Sequence, residues 1–140
     1  MSKKFSLLKV FFIACVVLVL SSGVVYAANL DLNFRLVNRS GMMIYRLYLS
    51  PSEFSKWDWD NDEIVGDGFP VGIGNSMNIN MSNNAERMKF RHWDMRVIFR
   101  DGKYWEFHNI NLSKIKTITI NVDGRGIDDL GKYYNSTKPK

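Results

Sequence analysis

From Asn29 to Val37 apolar and polar residues alternate without a break. Leu30, Leu32, Phe34 and Leu36 fall on one side, and Asp31, Asn33 and Arg35 on the other. A period of two marks a half-buried strand. Met42–Leu49 follows the period less strictly, with Met43, Tyr45, Leu47 and Leu49 on one face and Ile44 and Tyr48 on the other. Both faces are apolar, so this strand is expected in the middle of a sheet. Asn38-Arg39-Ser40-Gly41 between them has turn chemistry, and the two strands are expected to pair as an N-terminal hairpin. Met77, Ile79 and Met81 define a third strand, and Ile118, Ile120 and Val122 a last one rich in β-branched residues.

The densest run of large apolar residues is Trp93–Phe107, WDMRVIFRDGKYWEF. It predicts two strands folded back at Asp101-Gly102. A two-residue loop would mix charge and apolar bulk on both faces. A three-residue loop, with Gly102 left-handed as a bulge, sets Val97 against Trp105 and Met95 against Phe107 on one face. On the other face it sets Arg96 against Glu106, Asp94 against His108 and Ile98 against Tyr104. Opposite charges then meet in register, so the second register is preferred. The alternation slips at Asn109, which predicts a bulge or a strand end there.

Ser50-Pro51-Ser52-Glu53 reads as a helix start, with Ser50 as cap, Pro51 at the first helical position and Glu53 completing a capping box. Gly66, Gly68 and Pro70 follow closely, so a single short helical turn near Pro51 is expected inside a long Ser50–Asn75 connection. No internal repeat and no long amphipathic helix is present. The pattern predicts an all-β fold: a small antiparallel β-sandwich or partly open barrel of about six to eight strands.

The chain has 140 residues, room for one domain. Lys3, Lys4 and Lys9 precede the apolar run Val10–Leu20, and Val25-Tyr26-Ala27 has small residues where a signal peptidase reads. The run is short for a membrane span. Residues 1–27 are therefore expected to be a secretory signal cleaved after Ala27, with an uncleaved signal anchor as the rival. Residues 28–124 then form one β-sandwich domain and residues 125–140 a polar C-terminal tail. Cleavage removes Cys15, the one cysteine, so the mature chain is left without a disulfide. It also leaves 16 basic side chains against 14 acidic, in place of the full chain's +5. No basic block of the kind nucleic-acid binding needs is present. No membrane span remains after cleavage.

The run NRSGMMIYRLYLSPS from Asn38 to Ser52, then Trp59-x-x-Asp62 with Gly66, Trp93-Asp94-Met95-Arg96-Val97, Asp101-Gly102 and Asn111-Leu112 resemble an uncharacterised family of small secreted bacterial β-proteins. Its pattern runs N-x-[ST]-G, I-Y-x-L-Y-x-S-P-S, W-x-x-D, W-D-x-R-V, D-G, N-L-C. The resemblance covers roughly Asn33–Ile120 and implies a secreted β-protein; it implies no reaction. Family members often carry a Cys before W-D and another closing N-L-C. Here those places hold His92 and Ser113. If the two form a disulfide in relatives, this chain does without it.

Three groups of residues are candidates for chemistry. Asp58, Asp60 and Asp62 have the spacing that opens an EF-hand, but Glu63 stands where glycine is needed and Phe69 where a ligating carboxylate is needed. A looser calcium site from Asp58, Asp60, Asp62 and Asp67 stands against a plain solvated acidic loop, which is favoured. His92, Asp94 and His108 share a face in the preferred register and make a workable transition-metal set; the competing reading is a polar face with an Asp94–His108 cross-strand pair. Tyr48, Trp57 and Trp59 could form an aromatic binding surface, although aromatics in a small disulfide-free sandwich more often fill the core. No catalytic nucleophile motif is present, and Ser50 and Ser52 are explained as caps. The expectation is an exported, non-catalytic binding module, secreted or periplasmic, recognising an envelope protein or a polymer. A calcium-dependent binding module is the alternative, and a metal-dependent hydrolase has the least support. Calcium is the one cofactor the sequence raises. Oligomeric state is not encoded legibly.

Overall fold

A computed structural model describes residues 30–66, 70–81 and 86–137. The expected leader and Asp67 lie outside the described residues. The described residues form nine strands in two sheets that do not close into a barrel. The five-stranded sheet runs in the order β4 (Ser76–Ile79), β1 (Phe34–Arg39), β7 (Thr117–Asn121), β8 (Arg125–Asp128), β9 (Tyr133–Asn135). The four-stranded sheet runs β3 (Glu63–Val65), β2 (Ile44–Pro51), β5 (His92–Phe99), β6 (Tyr104–Asn111). The fold is all-β and sandwich-like, as the alternation predicts.

Phe34, Leu36, Ile118 and Ile120 from the first sheet and Leu47, Leu49, Met95, Val97, Phe99, Trp105 and Phe107 from the second share one buried cluster. Phe99 and Trp105 meet edge to face, 4.9 Å between ring centres. β2 sits between β3 and β5, the interior place its two apolar faces call for.

The β5–β6 hairpin has the three-residue loop. Met95 pairs with Phe107, Arg96 with Glu106, Val97 with Trp105 and Ile98 with Tyr104. Phe99 N–H donates to the Lys103 carbonyl at 2.8 Å and Gly102 N–H to the Phe99 carbonyl at 2.9 Å. Gly102 has φ +86°, a conformation that costs a side-chain-bearing residue roughly 1–2 kcal/mol. The slip at Asn109 is a bulge: the register shifts between Trp93 and Met95, and Asn109 itself has φ +58°.

Four expectations are corrected. The first two strands form no hairpin, because Asn38–Met42 carries the chain from one sheet to the other. Asn38 is fully buried and saturates this crossing. Its Nδ2 donates to the Met42 and Val71 carbonyls at 2.8 and 2.9 Å, and its Oδ1 accepts from Ser40 Oγ at 2.6 Å. The sheets are not wholly antiparallel either: β1 pairs with β4 antiparallel but with β7 parallel. At Pro51 the chain makes one hydrogen-bonded turn, Phe54 N–H donating to the Pro51 carbonyl at 2.9 Å, but no helix. β2 continues through Pro51, which pairs with Trp93, and Ser52 N–H donates to the His92 carbonyl at 2.9 Å. The helical turn is instead α1 (Trp59–Asp62), capped by Asp58, and a 3₁₀ turn lies at Arg87–Lys89. Lastly, much of the expected tail is strand, since β8 and β9 complete the five-stranded sheet. Asp128 fixes this corner by accepting from Leu130 and Lys132 N–H through Oδ1 and from the Tyr134 hydroxyl through Oδ2 at 2.8 Å. Burial, with that hydrogen bond, keeps the Tyr134 hydroxyl protonated well above the ordinary phenol range.

Candidate functional site

Alternation that turns Leu47, Met95 and Phe107 inward turns Tyr48, Arg96 and Glu106 outward. Arg96 is the hub of this outer face. It pairs with Glu106 directly across the ladder. Its guanidinium carbon lies 5.1 Å from the Trp57 ring centre, 4.6 Å from Trp59 and 4.3 Å from Tyr104. Trp57 and Trp59 stack at 6.2 Å with 16° between planes, and Tyr48 meets Trp59 edge-on at 5.1 Å. The three sequence-predicted aromatics are thus brought together, outside the inter-sheet core. Tyr48 is buried beneath the others, Trp57 is half-buried, and Trp59 is 49% exposed. Cation–π contacts, each about 0.5–2 kcal/mol, and the Glu106 pair offset the cost of drawing Arg96 out of water.

The loop that bears Trp57 and Trp59 has a second anchor. Asp62 is fully buried and pairs with Arg87 from the 3₁₀ turn. Asp62 Oδ2 also accepts from Asp58 N–H, while Arg87 donates to the Asn61 carbonyl at 3.1 Å and Ser50 Oγ at 3.4 Å. Its guanidinium lies 5.2 Å from the Phe54 ring centre and 5.7 Å from that of Trp93. The calcium alternative gave Asp58, Asp60 and Asp62 one shared task and the favoured reading left all three in solvent; the structure gives them different roles. Asp62 faces inward to Arg87. Asp58 caps α1, and hydrogen bonds from the Asn61 side chain and backbone hold its carboxyl below the ordinary range. Asp60 is exposed. Among the described residues no group of three potential metal ligands converges.

The predicted Asp94–His108 pair is present, with Nδ1 3.1 Å from Asp94 Oδ2. Glu106 Oε2 and Thr137 Oγ1 each lie 3.4 Å from His108 Nε2. His92 keeps the Asp94 face of β5, two residues along and opposite Asn111 beyond the bulge. Two residues along an extended strand separate it from Asp94 by roughly 7 Å. Ser52 Oγ donates to Asp94 Oδ1 at 2.8 Å, and the bulged Asn109 N–H donates to the same oxygen at 2.9 Å. The serine therefore faces the carboxylate and not the imidazole. In a nucleophilic triad the imidazole stands between the two and takes the hydroxyl proton. This order ties Ser52 to β5 as a brace.

Arg96, Glu106, Tyr104 and Arg87 were missed as site residues. The hairpin register already placed the first three on the outer face, so asking where Trp57 and Trp59 could land would have found them. Nothing in the sequence around Arg87 marks it.

No family model and no curated protein matches the chain. Among solved structures it is similar to a protein from Eubacterium rectale determined by NMR, with a TM-score of 0.43 at 12% identity, covering 84% of this chain and 96% of that one. No helix of the described residues is long and apolar enough to cross a membrane.

Proposed function

We propose that this chain is an exported, non-catalytic binding module of the bacterial envelope or extracellular space, and that the Trp57–Trp59 rim of the four-stranded sheet is its recognition surface for a polymer. One observation carries the reading: Trp59 is half exposed yet held from two sides, by Tyr48 edge-on and by the Arg96 guanidinium. An exposed aromatic fixed before binding loses little conformational freedom when a ligand covers it, and such residues dominate binding energy at interfaces. Charged groups of opposite sign, Arg96, Glu106 and Asp94, lie on the same face beside the His108 ring and can orient a polar ligand. Export is supported by the basic, apolar and small-residue segments of residues 1–27 and by the resemblance to small secreted bacterial proteins. The braced Ser52 hydroxyl speaks for binding over turnover.

The test is retention of the purified chain beginning at Ala28 on insoluble envelope and extracellular polymers, beside Trp59→Ala. The variant should bind at least tenfold more weakly while its melting temperature changes little. Equal retention of both proteins, or none of either on any polymer, would remove this function.

A further inference from the structure

Behind the Trp59 rim, Arg87 forms part of the wall of a cavity of about 230 Å³. Arg87 is 8% exposed. Its terminal nitrogens are taken up by Asp62, the Asn61 carbonyl and Ser50. Its Nε–H has no hydrogen-bond partner among the described residues. A buried donor left without an acceptor is costly, and a guest in the adjoining cavity could supply one.

The remaining walls narrow the guest. Leu49, Ile64 and Met81 make one side apolar. Asp60, Asn61 and Glu63 line the other. Arg87 is already answered by Asp62, and Glu63 by the Tyr48 hydroxyl at 3.5 Å and Arg46 at 4.0 Å. With both pairs answered and Asp60 open to solvent, the cavity has no strong net charge to draw an anionic or a cationic guest. Carboxylates accept from hydroxyls, Nε–H donates to a hydroxyl oxygen, and the apolar side takes C–H groups. A neutral polyol ring offers all three at once. The volume falls below the range of about 300–1,000 Å³ typical of sites for drug-sized ligands, which limits the guest to a single ring. We infer that this cavity holds one neutral sugar unit, with Arg87 Nε–H, Asp60 and Glu63 as its polar contacts and Leu49, Ile64 and Met81 as its apolar floor. The inference rests on the binding-module reading and names its ligand class as a glycan.

The experiment is a ¹H–¹⁵N NMR titration of the chain beginning at Ala28 with neutral hexoses and N-acetylhexosamines, with glucuronate and glucosamine as charged probes. A neutral sugar should move the Arg87 Nε–H signal and the amides of Asn61, Glu63 and Ile64. Ile64→Trp, which fills the cavity, should weaken binding at least tenfold, and so should Asp60→Ala, an exposed position whose loss leaves the fold intact. No response of Arg87 Nε–H to any neutral sugar would overturn the inference, as would stronger binding of either charged probe. Perturbation confined to the Trp57 and Trp59 indole signals would overturn the cavity site and leave the rim as the binding surface. Failure of the rim reading shows instead as retention on polymers that Trp59→Ala does not change.

Discussion

At Arg87 one side chain joins three parts of the molecule. It reaches from the 3₁₀ turn to Asp62 in α1, to Ser50 on β2 and to the ring of Phe54. Both charges of the pair are out of water, since Asp62 is fully buried and Arg87 nearly so. Removing one partner leaves the other charged and unanswered, which costs about 3–5 kcal/mol. Replacing both with apolar residues of similar size removes that penalty. Arg87→Met alone should therefore destabilise by about that amount in urea unfolding, and Arg87→Met with Asp62→Leu should recover most of it. If the double variant is as unstable as the single, the pair is not the link described here. Arg96 has a different energetic character. Its partners are three rings and Glu106 on a half-open face, so its loss should loosen the Trp57–Asp62 loop more than the core.

The β5–β6 hairpin was the most legible element, and for a local reason. Its partners lie a few residues apart, so face matching and the Asp101-Gly102 turn decide the register together. Pro51 misled because a capping box and a strand end share residue types: Ser52 braces Asp94 where a cap was expected, and β5 supplies the backbone partners. The expected tail misled because its strands are short and polar outside. Asp128 and Tyr134, six residues apart, hold that corner by a buried hydrogen bond that alternation does not reveal. The edge of β6 shows what this segment does. Thr137 exchanges backbone hydrogen bonds with Glu106, accepting at 3.2 Å and donating at 2.9 Å. Bare strand edges invite pairing with another chain. Deletion from Thr137 onward should leave the melting temperature within a few degrees yet produce concentration-dependent association in sedimentation velocity. A deletion variant that stays monomeric at all concentrations would show that the bridge does not guard the edge.

For the molecule as a whole, alternation told which face of each strand is inside but not which strand lies beside which. The core is one interior shared by two sheets, and almost any strand order would satisfy the same pattern. The aromatic site was legible as three residues and illegible as a place, because its hub, Arg96, looked like one more surface charge. Acid response is a property at this scale. Hydrogen bonds and nearby cations lower the carboxyls of Asp31 (Lys116), Asp58 (Asn61), Asp123 (Arg125) and Asp129 (the Lys116 backbone) from their ordinary value of 3.8. Lowered folded-state values stabilise the fold fully above the unfolded value, and that stabilisation is lost as pH falls through the folded ones. Thermal melts should be flat from neutral pH to about 5 and fall steadily below about 4. A melting temperature unchanged down to pH 3 would contradict these four assignments.

The parallel contact between β1 and β7 carries a temporal consequence. Arg35 finds Thr117 across about eighty intervening residues, and ladders closed over such separations form slowly. The five-stranded sheet cannot be assembled around β1 until nearly the whole polypeptide has left the ribosome. Until then the apolar faces of β1 and β7 wait without a partner, so the slowest step of folding is also the one that most exposes the chain to self-association.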